Sequence, residues 1–326
     1  MSQEIINRTN NIAAPGRSTN RLRTLLSPGY FWLTLGVLAV ALQTWVYTRW
    51  AMDGRWRPSF SRPPSLPNIN AFALRLLEAF TIASTIVCII FVIHEWRRQG
   101  RPDFDAAALI GYTSTMWLDV LCGGPVQWNS YSIHVATWFN YMPGLTDITA
   151  PDPFTPVFSP NGLGYPAMMI PVLIGYMLTK LVLRKREHWG RTRRFAVALV
   201  FGIFLQFLVE ITFIQAGTYS MNNYSTLAQS LSLWGGHWYQ IAAPDTIVLG
   251  GLATAPLIHM RMTWRSGGTP FISRGLPDTR TRLGGFLQIL CAIGWCNLTI
   301  AVWMGVAHLM SINGVPVSDL PEYFRN

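Results

Sequence analysis

Long apolar stretches alternate with polar connections along this chain. Seven stretches come close to the roughly 20 residues that a helix needs to cross the hydrocarbon core of a bilayer. They cover residues 30–50, 71–93, 104–121, 166–183, 195–215, 241–260 and 284–310. The third and the sixth are the weakest, because each carries a carboxylate. A backbone in lipid must satisfy its own hydrogen bonds, so we interpret each stretch as a helix.

This pattern predicts an all-α fold, a polytopic membrane bundle of about seven transmembrane helices. A polar basic tail covers 1–28, the transmembrane domain 29–311 and a C-terminal tail 312–326. Half of the residues are hydrophobic and 12% are charged, whereas soluble domains carry about 25% charged residues. An ordinary soluble or disordered protein is therefore excluded. The first stretch is long enough to span, so we interpret it as an uncleaved anchor.

Basic residues gather in every second connection, which predicts the orientation. The arginine-rich connections cover 97–101, 184–194 and 261–282. The long connections 123–165 and 216–240 contain no Lys or Arg. The positive-inside rule therefore places the N-terminus in the cytoplasm and the neutral connections outside. Three arginines between 55 and 62 disagree with this orientation.

The net charge of +10 also fits basic loops held against an anionic membrane face. We therefore expect an integral protein of a bacterial cytoplasmic membrane that binds membrane lipids and no nucleic acid. The two neutral connections are crowded with Trp, Tyr, Asn, Ser and His. They predict a structured cap over the outer end of the bundle.

Several ionisable side chains lie inside the apolar stretches, where each is costly and therefore a functional hypothesis. The candidates are Arg75, Glu78, Asp119, Glu210, Asp245 and His308. With the predicted orientation all six fall in the outer third of the membrane, within about 10 Å of one another in depth. They predict a cavity toward the extracytoplasmic leaflet, lined by carboxylates and roofed by the aromatic connections.

Three carboxylates are the catalytic candidates. Glu210 has apolar neighbours on both sides, which favour the protonated form of a carboxyl, so it is the predicted general acid. Asp119 is the predicted base or cation stabiliser. Asp245 follows Pro244 near the predicted mouth and is the next candidate. The predicted substrate-binding residues are Glu78, Trp128, Asn129, His134, Tyr219, Asn223, Tyr224, Trp234, His237, Trp238 and His308.

Each candidate also has a structural interpretation. Arg75 and Glu78 stand at i and i+3 on one helix and could pair with each other. Glu210 could serve as a hydrogen-bond partner for another helix. Asp119 and Asp245 could extend to interfacial water, and His308 could be an interface residue.

Sequence motifs for nucleotide, metal or redox chemistry are missing. There is no GxxxxGK[ST], HExxH, CxxC, GxSxG or GxGxxG motif in a fitting context. The four cysteines show no metal-ligand spacing. We therefore expect no metal and no cofactor, which leaves acid–base chemistry on an apolar substrate, or binding and transport.

The chain resembles the AveC-like spirocyclase family in its length, its number of spans and its outer carboxylates, which stand as in WLD…PVQWNSY and E…GTYSMNNY. The resemblance covers roughly 30–310. It implies a cofactor-free membrane enzyme of natural product biosynthesis that closes a dihydroxy-ketone chain into a spiroketal with loss of water. The expected activity is that of a dehydrating cyclase, a lyase or isomerase. No catalytic residue is carried over from the family.

Two other functions remain open on the sequence. A membrane terpene cyclase acting on a prenyl or epoxide substrate would use the same acid. A proton-coupled transporter or lipid-binding membrane protein would use the carboxylates as a proton relay, although no internal repeat supports alternating access. The expected partner in the cyclase interpretation is a hydrophobic small molecule, and a homo-oligomer is compatible with the sequence.

Overall fold

The fold is a bundle of helices with short strand pairs in its connections. The computed structural model describes residues 27–52, 68–118, 127–128, 137–139, 154–156, 160–186 and 188–321. Over these residues the α-helices are α1 (Pro28–Met52), α2 (Asn68–Gln99), α3 (Phe104–Thr113), α4 (Pro160–Ala167), α5 (Met169–Leu183), α6 (Arg191–Gln215), α7 (Thr226–Ser230), α8 (Gly250–Arg265) and α9 (Arg282–Ser311). A π-helix over Ala243–Leu249 precedes α8, and a short 3-10 helix over Phe271–Ser273 follows it.

In the described part of the chain, the strands form three antiparallel pairs, which the sequence did not predict. They are β1 (Gln127–Trp128), β2 (Thr137–Phe139), β3 (Phe154–Pro156), β4 (Tyr219–Ser220), β5 (Ser232–Leu233) and β6 (Ile241–Ala242). β1 pairs with β4, β2 with β3 and β5 with β6. Each strand has two or three residues, so the mostly helical class is confirmed.

Within the described residues, five helical segments are long and apolar enough to cross a membrane. They are Pro28–Arg49, Phe72–Gln99, Gly164–Leu183, Arg191–Gln215 and Arg282–Ser311. These segments match five of the seven predicted stretches and indicate a polytopic membrane protein. The count of seven and the orientation stay predictions.

The third stretch forms a shorter α-helix than the predicted 104–121. α3 ends at Thr113 after ten residues. The hydroxyls of Ser114 and Thr115 donate to carbonyls three residues earlier, at 2.6 and 2.7 Å. Such bonds compete with the backbone ladder of a helix, and they coincide with the change to a turn and a single 3-10 turn at 116–118.

The sixth stretch is also not one α-helix over 241–260. Its first two residues form β6, the π-helix follows, and α8 runs from Gly250 to Arg265. Pro244 has no N–H to donate and fits best in the first turn of a helix, although α8 also contains Pro256. The helical conformation begins at Ala243, directly after the strand pair.

Glycines allow α1 and α9 to approach closely. A Cβ atom on Gly36 would overlap the carbonyl of Leu290, and one on Gly294 would overlap the carbonyl of Trp32. Small residues at helix contacts are how membrane helices gain packing, because lipid tails are as apolar as Leu. The two glycines therefore set the contact between the first and last described helices.

Replacing Gly294 by Leu should lower the unfolding temperature, since overpacking a tight contact costs about 1–3 kcal/mol. Gly305 is the matched control on the same helix, because a Cβ there meets no atom within 4 Å. Thermal unfolding in detergent, followed by tryptophan fluorescence, measures both variants. An equal change for Gly294→Leu and Gly305→Leu would contradict the close approach.

A buried charge cluster joins α3 to α8 at the end of the bundle that carries the arginine-rich connections. Asp105 is fully buried and accepts two bonds from Arg261, at 2.6 and 3.0 Å. Arg265 donates to the same carboxylate at 2.6 Å, and the Arg261 guanidinium lies over the Tyr176 ring at 4.1 Å. The sequence analysis missed this cluster, which holds the two helices in register.

Asp103 caps α3 beside this cluster. Its carboxylate accepts a hydrogen bond from the Ala106 N–H at 3.0 Å. Burial first, and then the neighbouring Asp105, raise the pKa of Asp103. The folded protein therefore holds the Asp103 proton more tightly than the unfolded chain does.

The stability of the Asp103→Asn variant, compared with that of wild type, should increase as the pH rises. In the wild type, the stabilising contribution of the raised pKa is complete below the unfolded value of about 3.9 and is lost as the pH rises through the folded value. Asn caps a helix as well as Asp does and does not ionise. Unfolding temperatures of both proteins, measured from about pH 4, just above the unfolded value, upward, report the effect. A difference in unfolding temperature between the two proteins that does not vary with pH would contradict the raised pKa of Asp103.

Candidate functional site

Glu210 lies near the end of α6 and is 5% exposed. Its two carboxylate oxygens each accept a hydrogen bond. Gln206, one helical turn earlier, donates from Nε2 to Oε1 at 2.7 Å, and the Tyr219 hydroxyl donates to Oε2. These two bonds, one to each oxygen, hold the carboxyl in one orientation.

A turn after α6 brings Tyr219 back to Glu210. Gly217 has a φ of 72°, a backbone conformation that glycine adopts without steric cost. The chain then enters β4, in which Tyr219 stands opposite Trp128 of β1. The backbone of one predicted substrate-binding residue, Trp128, is therefore in register with the tyrosine that bonds the predicted acid.

The π-helix packs against α6 beside this carboxyl. A Cβ on Gly250, the residue after the π-helix, would lie 2.6 Å from Cγ of Gln206, so the glutamine side chain rests on this backbone. π-helical turns occur frequently at functional sites. The π-helix contains Asp245, whose side chain lies outside the described residues.

Gln206 also brings an unused acceptor to the site. Its Oε1 atom is buried and has no hydrogen-bond partner among the described residues. A buried polar atom without a partner costs about 1–3 kcal/mol. Such an atom next to a buried carboxyl fits a place where a ligand hydroxyl donates.

The connection 216–240 packs its own small core next to Glu210. Tyr224 is fully buried among Ile214, Met221 and Ile241, and its hydroxyl donates to the Met221 sulfur at 3.6 Å. Gln240 donates to the Met221 carbonyl at 2.5 Å. Both the ring of Tyr224 and the partner of its hydroxyl therefore belong to this small core.

The outer part of the connection is clamped by Asp319 from the C-terminal tail. One carboxylate oxygen of Asp319 lies 2.9 Å from Nδ1 of His237, and the other accepts from the Trp238 N–H at 2.9 Å. The His237 ring stacks on Tyr239 at 5.2 Å. Both members of the His237–Asp319 pair are exposed. Trp234 is 44% exposed.

Two further candidates belong to other helices. Glu78 is 1% exposed and lies 2.6 Å from Nη1 of Arg75, which confirms the predicted i, i+3 pair. His308 stands in the last turn of α9, and its Nδ1 is buried without a hydrogen-bond partner in the described part of the chain. Asn223 packs against Gly314, where a Cβ would lie 2.5 Å from its side-chain oxygen.

Three predicted site residues lie outside the described residues. They are Asp119, Asn129 and His134. The structure therefore brings Glu210 and Tyr219 together and places Trp128 and Asp245 on adjoining backbone. The predicted catalytic and substrate-binding roles stay predictions.

Two residues that sequence reasoning missed hold these groups. Gln206 had a readable signal, because it is polar within an apolar stretch and stands four residues before Glu210, on the same helix face. Asp319 had none, since it is far from His237 along the chain. Across the described residues, no three His, Cys, Asp or Glu side chains converge as a metal site.

Comparison with known proteins identifies one family. Residues 96–326 match the family model described as Spirocyclase AveC-like, which is more than two thirds of the chain. The matched part contains Gln206, Glu210, Tyr219, the π-helix and Asp319. No curated protein and no solved structure matches the chain.

Proposed function

The chain belongs to the spirocyclase AveC-like family, and we propose that it is a membrane cyclase that closes an oxygenated apolar chain into a spiroketal with loss of water. The substrate class is a dihydroxy-ketone. The reaction converts one dihydroxy-ketone into one spiroketal and one water. The proposed site faces the extracytoplasmic leaflet, in line with the predicted orientation.

The observation that carries this proposal is the buried carboxyl of Glu210 with its two donors. One hydroxyl of the substrate first adds to the ketone, which forms the first C–O bond and gives a hemiketal. A protonated Glu210 then donates its proton to the hemiketal hydroxyl, the bond from carbon to that oxygen breaks, and the oxygen leaves as water. The Gln206 amide and the Tyr219 hydroxyl stabilise the carboxylate that remains. In a low-dielectric site, such donors stabilise developing charge more strongly than they do in water.

The second hydroxyl of the substrate then attacks the oxocarbenium ion. This forms the second C–O bond of the spiroketal and releases a proton. Before the attack, the carboxylate of Asp119 or Asp245 stabilises the cation. After the attack, the same carboxylate accepts the released proton. The spare acceptor on Gln206 favours a substrate with hydroxyl groups over a hydrocarbon, since it can receive a hydrogen bond from one of them.

Substrate preference tests the proposal. The purified protein in detergent is incubated with a dihydroxy-ketone chain or with a prenyl epoxide, and products are followed by mass spectrometry. Loss of one water from the dihydroxy-ketone, above the rate without protein, supports the spirocyclase. Turnover of the prenyl epoxide alone would contradict it and favour a terpene cyclase.

Replacing Tyr219 by Phe should lower kcat about ten-fold or more and leave KM nearly unchanged. The variant loses a hydrogen bond to a charged group, worth about 1.5–3 kcal/mol, and this bond is strongest once the proton has left Glu210. Tyr239→Phe is the control, because the half-buried Tyr239 stacks its ring on His237 instead of bonding to Glu210. Equal kcat values for the two variants would remove Tyr219 from the mechanism.

A further inference from the structure

A cavity opens at the end of α6 opposite to Glu210, among the arginine-rich connections. Its volume is about 620 Å³, within the roughly 300–1,000 Å³ typical of small-molecule sites. The basic residues that line it are Lys180, Arg191, Arg194, His259, Arg265 and Arg274. Arg191 begins the helix that carries Glu210 nineteen residues later, about 28 Å away at 1.5 Å per residue. This cavity is therefore separate from the proposed catalytic site.

The lining of this basic cavity has an excess of positive charge. None of its described lining residues is acidic. Arg265 is bonded to the carboxylate of Asp105 at 2.6 Å. Among the described residues no carboxylate pairs with Lys180, Arg191 or Arg274. Like charges gathered around one cavity repel one another unless an anion lies between them.

Neutral donors complete the lining. The Nδ1 atom of His259 is buried and has no hydrogen-bond partner within the described residues. The ring of His259 packs edge-on against Phe195 at 5.7 Å, which fixes its position. The hydroxyl-bearing residues Thr263, Ser266 and Thr269 also line the cavity. Guanidinium, ammonium, imidazole and hydroxyl groups together form a set of donors suited to phosphate oxygens.

We propose that the basic cavity binds a phosphate-bearing molecule. Arg191 and Arg274 hold the phosphate by paired hydrogen bonds, the geometry that guanidinium groups offer to phosphate. Lys180 adds a point charge, and His259 Nδ1 donates to a remaining oxygen. The volume exceeds the needs of a bare phosphate ion, so the ligand carries further groups on its phosphate.

Two sources supply this chemistry. One is the headgroup of an anionic phospholipid, since basic pockets between membrane helices bind such headgroups. The other is a soluble phosphorylated molecule, for which inorganic pyrophosphate serves as the probe. Both use the same side chains, so the test must separate them.

The test uses the full-length protein in nanodiscs of phosphatidylcholine, alone, with added phosphatidylglycerol or with added pyrophosphate. Unfolding temperature and native mass spectrometry report binding. The variant is Arg191→Gln with Arg274→Gln. The control is Arg184→Gln with Arg193→Gln, which removes two exposed arginines from the same end of the bundle that do not line the cavity.

Wild type and control should be stabilised by the anion, because a ligand that binds the folded state raises the unfolding temperature. The cavity variant should bind about ten-fold more weakly or worse, which corresponds to the loss of about 1.4 kcal/mol or more. A response to phosphatidylglycerol alone assigns the site to a lipid headgroup, and a response to pyrophosphate assigns it to a soluble ligand. No response in wild type, or equal responses in variant and control, would overturn the proposal.

A loss of folding cannot imitate this result. In phosphatidylcholine alone, whose headgroup has no net charge, the cavity variant should be at least as stable as wild type, because it removes repulsion between cations. A variant that is less stable there would show that the arginines have a structural role instead, and would also overturn the proposal. Cyclase activity is not part of this readout, so the two proposals can fail independently.

Discussion

Replacing Glu210 by Gln should lower the rate of water loss by about 10²–10⁴-fold, the usual contribution of a positioned general acid. Gln has nearly the same shape as Glu and can still accept the bond from the Tyr219 hydroxyl. It cannot deliver a proton to a leaving hydroxyl. The fold should therefore persist while the chemical step is lost.

The measurement for this variant is the rate of spiroketal formation under saturating substrate, with the unfolding temperature as a check on the fold. Asp278→Asn is the control, because it removes one carboxylate charge from an exposed position at the other end of the bundle. If the activity of Glu210→Gln lies within two-fold of the control, Glu210 is not the general acid. Its role is then structural, as a hydrogen-bond partner inside the bundle.

Replacing Asp105 by Ala should produce the largest loss of stability, about 3–5 kcal/mol. Removing one partner of a buried ion pair leaves an uncompensated charge in a low-dielectric interior. Here two guanidinium groups, those of Arg261 and Arg265, lose the carboxylate they share. The expected readout is a large drop in unfolding temperature and in the yield of folded protein.

Asp319→Ala is the contrasting variant for this measurement. Its pair with His237 is exposed on both sides, and exposed pairs contribute about 1 kcal/mol or less. If Asp105→Ala does not yield folded protein, replacing Asp105, Arg261 and Arg265 together by apolar residues should restore it, because apolar packing often substitutes for a buried ion network. Equal stability of Asp105→Ala and Asp319→Ala would contradict the importance of the buried cluster.

The long helices were predictable because lipid forces a simple rule on the backbone. The stretch 195–215 corresponds to α6, Arg191–Gln215, and the stretch 284–310 to α9, Arg282–Ser311. Continuous apolar runs can satisfy their backbone groups only within the segment. The predicted bounds are therefore within a few residues of those in the structure.

The two weak stretches were wrong as single α-helices because local bonds altered the backbone. Ser114 and Thr115 bond to nearby carbonyls, and Pro244 follows a strand pair. Hydropathy averaged over a window does not contain these effects. The same stretches carry Asp119 and Asp245, so the errors fall close to predicted site residues.

The candidate site was predictable only where its contacts are local. The i, i+3 spacing of Arg75 and Glu78 on one helix predicted their ion pair correctly. The corresponding i, i+4 spacing would have predicted the contact of Gln206 with Glu210. The bond from Tyr219 depends on the turn at Gly217. The pairing of Asp105 with Arg261 joins positions far apart in the chain, and no pattern in one sequence specifies it.

The most direct test of the central claim is the stereochemistry of the product. A dihydroxy-ketone chain closes slowly in acid without protein and gives a mixture of spiroketal diastereomers. The ratio of diastereomers is measured by chromatography for wild type, Glu210→Gln and the protein-free reaction. Wild type should give one predominant diastereomer, and Glu210→Gln should give the protein-free ratio. A wild-type ratio equal to the protein-free ratio, at an equal rate of water loss, would contradict the proposed function.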